Sequence, residues 1–212
     1  PQFPPQALSQ QPFGILYLDI AVLWTITLTG LLITIAYKHG IQDMKNRWLS
    51  THDGLTKLHN RHYLEQTMRQ WRDSLRQQDK SFCLLFLDLN NFKNVNDSLG
   101  HLAGDAGLAH VSRILEQSTR TSDTVVRWGG DEFIILLPEC TDQTAINVAD
   151  KINHLLKENP FRFKEQNFPL SFSIGIASTL KNEPPETVIE RADQASYQAK
   201  KSGLGIVLAE IA

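Results

Sequence analysis

The chain has 212 residues and a formal net charge of −2, long enough for one substantial core with additional segments. This near-neutral charge is not typical of proteins that bind nucleic-acid polymers over a broad basic surface, so we expect no such partner. The only cysteines are Cys83 and Cys140, which excludes a disulfide scaffold and a cysteine-based zinc site.

Residues 1–14 are rich in proline and glutamine, a composition that predicts an extended arm. Residues 15–37 follow as an apolar stretch of 23 residues with Asp19 as its one charge. About 20 helical residues cross about 30 Å of hydrocarbon, so this stretch predicts a transmembrane helix. The alternatives are a buried helix of a soluble protein and a signal sequence, although a signal sequence carries an early positive charge.

Basic residues appear only after the apolar stretch. Lys38 is the first Lys or Arg of the chain, and Lys45 and Arg47 follow shortly after it. By the positive-inside rule, this arrangement places the remainder of the chain in the cytoplasm and residues 1–14 outside it. Because the chain begins with Pro1 rather than Met, we expect it to be part of a longer protein.

Residues 38–52 predict a connector helix. Ile41, Met44 and Trp48 have the spacing of one apolar stripe on a helix. The stripe could pair with the same stripe of a second copy, or it could simply pack locally.

Helices and strands alternate after residue 52. Apolar periodicity, glycines and prolines predict helices at residues 62–78, 91–100, 105–119, 141–159 and 184–202, and strands at residues 81–89, 124–126, 133–137, 170–179 and 204–208. This alternation predicts an α/β domain with a mixed sheet.

Gly129 and Gly130 lie between two apolar runs, which predicts a hairpin with a tight primed turn. Asp131 and Glu132 follow at once. A single acid there could be a solvated turn residue. Two acids beside a glycine turn indicate a polyphosphate handled through a divalent metal.

Asp88 ends a strand that is otherwise apolar. It could cap the following helix, but Asn90 and Asn91 could do so instead. If this strand lies beside the hairpin, Asp88 and Asp131 meet at one end of the sheet and could hold magnesium against a triphosphate.

Asn96 and Asp105 lie in the polar segment after Asp88. An amide can pair with guanine O6 or N7, and a carboxylate can accept from guanine N1–H and N2–H₂. Asx turns and helix caps near the glycines are the alternative for both residues.

At this point the chain resembles the GGDEF family, the diguanylate cyclases. Four blocks match the family's motifs in order and cover about residues 51–208: residues 53–61, residues 86–105, residues 129–133, and residues 173–177 with 192–200. The resemblance implies a GGDEF domain over residues 53–212, with a mixed, mainly antiparallel central sheet flanked by helices, as in nucleotidyl-cyclase palm domains. One transmembrane helix would precede it, at a bacterial inner membrane.

The resemblance also implies an activity, in which two GTP molecules condense into cyclic di-GMP with release of pyrophosphate. Each domain would bind one GTP, so the enzyme would act as a homodimer. Mg²⁺, with Mn²⁺ as the alternative ion, would be held by Asp88, the Leu89 carbonyl and Asp131, with Glu132 as a second metal or ribose contact. The remaining implied roles are catalysis by Asp131, Lys93 and Glu132, and substrate binding by Asn96, His101, Asp105, Lys200, Gly129 and Gly130.

Arg120 and Asp123 lie at the offset from Gly129 at which the family has its product-inhibition site. Lys151 is a candidate extra basic contact there. A helix-end arginine and a turn aspartate would explain the same pair without a ligand.

The chain departs from the family pattern at two positions. Leu204 stands where the family often has a basic residue, so triphosphate binding is weaker or Lys201 substitutes. Asn90 stands where many members have a second aspartate, which we expect to be tolerated. The alternative function is a catalytically silent GGDEF domain that binds GTP or cyclic di-GMP as a regulatory module.

Overall fold

The computed structural model describes residues 13–78, 81–180 and 183–210, so most of the predicted N-terminal arm lies outside the described residues. The chain forms two compact units, Pro1–Trp48 and Leu49–Ala212. Each is considered separately below.

One long helix, α1, spans Phe13–Thr51 and contains all the described residues of the N-terminal unit. The predicted membrane helix and the predicted connector helix are therefore parts of one continuous helix, which Gly40 does not interrupt. The Val22–Thr51 part is long and apolar enough to cross a membrane. Thr25, Thr27 and Thr34 each donate to a carbonyl three or four residues earlier, which satisfies their hydroxyls within the helix.

The C-terminal unit contains thirteen elements within the described residues. They are β1 (His59–Asn60), α2 (Arg61–Gln78), β2 (Phe82–Leu89), α3 (Phe92–Leu99), α4 (His101–Ser118), β3 (Thr124–Gly129), β4 (Glu132–Pro138), α5 (Asp142–Glu158), β5 (Phe161–Phe163), β6 (Gln166–Phe168), β7 (Phe172–Ser178), α6 (Pro185–Ser202) and β8 (Ile206–Leu208).

Six strands form the main sheet in the order β1-β3-β4-β2-β7-β8. The four inner strands pair antiparallel with one another, while the edge strand β1 pairs parallel with β3 and the edge strand β8 pairs parallel with β7. The predicted mixed, mainly antiparallel sheet flanked by helices is confirmed.

The centre of the sheet is buried on both faces. Alternate residues of β2 belong to two apolar clusters, one on the side of α4 and α5 and the other on the side of α2 and α6. Two covered faces explain why β2 is apolar until Asp88, since a strand covered on both sides has no solvent-facing positions.

Helix α6 packs very closely on β7. A Cβ atom at Gly175 would lie 1.9 Å from the carbonyl oxygen of Ala192, so only glycine fits there. The close packing fixes α6, and with it Asp193 and Lys200, relative to the central strands.

Several boundaries differ from the prediction. Helix α4 begins at His101 rather than at residue 105, because Gly100, with φ of 81°, separates it from α3 by a single residue. Asn91 precedes α3 with φ of 61° but makes no side-chain cap, so the proposed capping of this helix by the Asn91 side chain was wrong. The short strands β1, β5 and β6 were missed, since two or three residues give no periodic signal.

Candidate active site

The hairpin between β3 and β4 places Asp131 at its tip. Gly129 pairs with Glu132, so the two loop residues are Gly130 and Asp131, and only Gly130 has positive φ, at 53°. The predicted Gly-Gly turn was therefore wrong by one residue, because Gly129 still belongs to β3. The register shifts between Arg127 and Gly129, as in a β-bulge, which re-aims the strand near its end.

Strand β2 lies beside this hairpin. Asp88 pairs with Glu132 of β4, and the Leu89 amide donates to the Asp131 carbonyl oxygen at 3.1 Å. The predicted meeting of Asp88 with the hairpin acids at one end of the sheet thus has a defined register.

Helix α6 contributes one cation and one further acid to this end. The Lys200 ammonium lies 2.6 Å from Oδ1 of Asp88. Asp193 lies seven residues before Lys200, on the same helix face. Asp193 falls within the block at residues 192–200 but was not among the predicted site residues, although its two-turn spacing from Lys200 was a usable signal.

The carboxylates repel one another. Burial raises the pKa of Glu132, and the charges of Asp193, Asp88 and Asp131 raise it further, while Lys200 opposes them. Burial and the charge of Asp88 likewise raise the pKa of Asp193. This end of the sheet therefore carries more negative charge than Lys200 neutralises.

The donor set fits a hard divalent cation. No three His, Cys, Asp or Glu side chains within the described ranges form a ready-made metal site. Mg²⁺, however, commonly binds through one or two carboxylates plus substrate phosphates rather than in an all-protein cage. Asp88, Asp131 and the backbone at Leu89 offer such a partial set.

The α3–α4 pair carries the predicted substrate residues. Lys93 is exposed in the first turn of α3, and His101 and Asp105 are exposed one turn apart on α4. Asn96 is half-buried, and its side chain lies directly over Gly104. The two helices thus present these polar groups around the single-residue corner at Gly100.

Arg120 and Asp123 form a tight turn after α4. The Arg120 amide donates to Oδ2 of Asp123 at 2.7 Å, and both residues line a cavity of about 320 Å³ together with Lys57 and His59. Lys151 does not line this cavity. Its ammonium donates to two carbonyl oxygens near the C-terminus of α4, where a cation is favoured by the helix dipole.

Leu204 is 72% exposed between Gly203 and Gly205. It makes this corner apolar where the family often has a basic side chain. Lys201 is also exposed.

The model of the family described as "Diguanylate cyclase, GGDEF domain" matches residues 50–205. The chain belongs to the GGDEF family. The predicted GGDEF domain was residues 53–212. The family match begins three residues before its first residue and ends seven residues before its last residue.

Curated relatives agree with the family match. The chain is 34% identical over 168 residues to Diguanylate cyclase DgcP of Pseudomonas aeruginosa, covering 79% of this chain and 25% of DgcP. It is 32% identical over 159 residues to Diguanylate cyclase A of Treponema denticola, covering 73% of this chain and 43% of the relative. The GGDEF chain thus spans less than half the length of these relatives.

Among solved structures, the GGDEF domain of DgcB from Caulobacter crescentus in complex with c-di-GMP superimposes with a TM-score of 0.72. It is 26% identical, and the match covers 76% of this chain and 97% of that one.

Proposed function

We propose that this GGDEF domain is a diguanylate cyclase that condenses two GTP molecules into cyclic di-GMP and two pyrophosphates. The observation that carries the proposal is the β2–β4 register, which gathers Asp88, Asp131 and Glu132 at one end of the sheet. The names of DgcP and Diguanylate cyclase A, and the cyclic di-GMP bound to the DgcB domain, support the same assignment.

In the proposed reaction the 3′-oxygen of each GTP attacks the α-phosphorus of the other. A new O3′–P bond forms, the bond between the α-phosphorus and the bridging oxygen breaks, and pyrophosphate leaves. Asp131 accepts the hydroxyl proton, Lys93 stabilises charge on the transferring phosphate, and Lys200 binds the terminal phosphates. Positioning and charge neutralisation provide most of the catalysis in this chemistry.

The proposed metal is Mg²⁺ or Mn²⁺, held by Asp88, the Leu89 carbonyl and Asp131, with Glu132 as a second metal or ribose contact. When bound, the ion neutralises phosphate charge. The uncompensated negative charge at this end of the sheet supports that role, because a divalent cation would relieve the repulsion that raises the pKa of Glu132.

Guanine recognition is assigned to Asn96 and Asp105, with His101 as a further nucleotide contact. The hairpin backbone at Gly129 and Gly130 has no side chains and lets the nucleotide lie against it. Each domain binds one GTP, so turnover requires two domains face to face and the chain acts as a homodimer.

Feedback by the product is assigned to Arg120 and Asp123. The cavity that they line is supporting evidence, since it is open to a ligand and contains basic groups. Lys151 could join the site only by leaving the α4 carbonyls that it now contacts.

Helix α1 is proposed to anchor the protein in the bacterial inner membrane through residues 15–37, with the GGDEF domain in the cytoplasm. Its length and apolar composition support this placement.

The test is turnover of the full chain in detergent micelles, with GTP and Mg²⁺, followed by detection of cyclic di-GMP and pyrophosphate. Asp131→Ala should abolish turnover, whereas Asp150→Ala, which removes an exposed acid of α5, should leave it unchanged. Absence of product from the wild-type chain at high protein concentration would refute the cyclase proposal.

Feedback has a separate test. Arg120→Ala should relieve inhibition by added cyclic di-GMP, and Arg113→Ala, which changes an arginine on α4 that donates to its own helix, should not. Inhibition that persists unchanged in Arg120→Ala would assign feedback to another surface.

A catalytically silent GGDEF module is the second candidate, and the exposed Leu204 favours it. Such a module would bind GTP or cyclic di-GMP in a calorimetric titration but give no pyrophosphate.

A further inference from the structure

Arg127 joins two segments that are far apart in the sequence. Its Nε and Nη2 atoms donate to the carbonyl oxygen of Gly130 at 3.1 and 2.8 Å, and its Nη1 atom donates to Oδ1 of Asp53 at 3.1 Å. Both side chains are largely buried, at 16% and 24% exposed. Solvent-exposed ion pairs contribute little to stability, but this ion pair is better protected from solvent than those.

Asp53 is itself held rigidly. Its Oδ1 atom also accepts from the amide and the hydroxyl of Thr56 at 2.8 and 2.7 Å, and its amide donates to the Leu58 carbonyl oxygen at 2.8 Å. Burial raises the pKa of Asp53, but the Thr56 hydrogen bonds and the Arg127 guanidinium outweigh burial and leave that pKa lowered. The carboxylate is thus a fixed, ionised anchor for the guanidinium.

The other end of the contact is the active-site turn. Gly130 directly precedes Asp131, and the carbonyl oxygen of Asp131 accepts from the Leu89 amide. The backbone is therefore anchored on both sides of the Asp131 side chain, by Arg127 at one peptide and by Leu89 at the next. The direction of the Asp131 carboxylate depends on both anchors.

We propose that Arg127, fixed by Asp53, is a positioning residue that sets the orientation of the Asp131 turn for catalysis. The inference rests on the proposed cyclase function. The guanidinium binds the turn carbonyl through two donors at a fixed angle, which a single ammonium donor cannot reproduce. In a reaction that depends on positioning, a displacement of about 1 Å can reduce the rate about 100-fold.

The chain contains a matched control. Arg191 also bridges a carboxylate, that of Glu183, and a backbone carbonyl, that of Ser178. The Arg191 side chain is as buried as that of Arg127, at 15% exposed, and its partner Glu183 is more buried than Asp53, at 8% exposed. None of these contacts involves the hairpin turn. The loss of stability in an Arg191 variant therefore measures what removal of such an arginine bridge costs the fold, without any effect on the Asp131 turn.

The first measurement compares Arg127→Met with Arg191→Met in the full chain, using thermal unfolding and steady-state kinetics. We expect Arg127→Met to lower kcat per folded molecule about 10- to 100-fold. KM for GTP should rise by a smaller factor, because the proposed guanine residues on α3 and α4 stay in place while the hairpin backbone at Gly129 and Gly130 shifts. Arg127→Lys should recover only part of the rate, and methylguanidinium should partly restore Arg127→Met. Arg191→Met should lose stability with little change in kcat.

The second measurement is hydrogen exchange of the Leu89 amide, which needs no turnover. Release of the turn in Arg127→Met should speed this exchange beyond any change at the other β2 amides, and Arg191→Met should not do so. Unchanged Leu89 exchange, or a kcat loss no larger than that of Arg191→Met, would overturn the positioning role. The two proposals can also fail separately. If the wild-type chain forms no product but Arg127→Met still speeds exchange of the Leu89 amide, the cyclase proposal is refuted and the anchoring of the turn by Arg127 stands.

Discussion

Gly104→Ala is expected to weaken GTP binding while leaving the free energy of unfolding nearly unchanged. Gly104 is buried on α4 beneath the Asn96 side chain, and a Cβ atom there would lie 1.9 Å from Oδ1 of Asn96 and 3.2 Å from a ring carbon of Phe92. Real Cβ contacts are essentially never shorter than 3.0 Å, so the amide must move by about 1 Å or more. The amide is the end of a flexible side chain, and it can rotate away without moving the backbone.

The two consequences have different sizes. Glycine in a helix interior costs about 1 kcal/mol relative to alanine, so the substitution gains stability that offsets the local crowding. The free energy of unfolding should therefore change by less than about 1 kcal/mol. Loss of a hydrogen bond from Asn96 to guanine would cost about 1 to 1.5 kcal/mol, which corresponds to about a 5- to 13-fold rise in KM for GTP.

Gly107→Ala is the matched control on the same helix. Its Cβ would lie 3.6 Å from the Phe161 ring, an ordinary contact, so stability should rise slightly and KM should not change. A double-mutant cycle with Asn96→Ala then isolates the mechanism. If Gly104→Ala acts through Asn96, it should add nothing to the KM of Asn96→Ala. Fully additive effects, or an unchanged KM in Gly104→Ala alone, would refute the reasoning.

Three further predictions concern the sheet and its acidic end. Gly175→Ala should destabilise the domain by about 3 kcal/mol in denaturant unfolding, because its Cβ would overlap the α6 backbone, whereas Gly54→Ala, with open space around it, should not. Burial and neighbouring charges raise the pKa of Glu132, so its ionisation costs stability as pH rises. Asp193→Asn removes one of these neighbouring charges. The substitution should therefore raise Tm more at pH 7 than at pH 4, and equal Tm shifts at the two pH values would contradict this. Lys200→Ala should tighten Mn²⁺ binding without GTP by up to about fivefold, because an exposed ion pair is lost; weaker binding would contradict it.

Local patterns predicted the elements well where they were long or unambiguous. The apolar run before Asp88 and the turn at the hairpin were found because strand periodicity and glycine are strong local signals. The helix predicted to begin at residue 141 was also found, where Thr141 is the N-cap of α5 and its hydroxyl accepts from the Thr144 amide. The α4 start was missed because residues 101–104 contain glycine and lack polar–apolar periodicity, and helix propensity there is decided by packing against α3.

The contacts that organise the candidate site were harder to predict, because they join residues that no local pattern relates. Asp53 and Arg127 are 74 residues apart, and Asp88 and Lys200 are 112 apart. Each motif was visible in the sequence, but its partner follows only from the strand order, in which β2 lies between β4 and β7. That order brings the hairpin and α6 to the same end of β2. The chemistry of the site was therefore readable residue by residue, whereas its anchoring depends on the topology of the sheet.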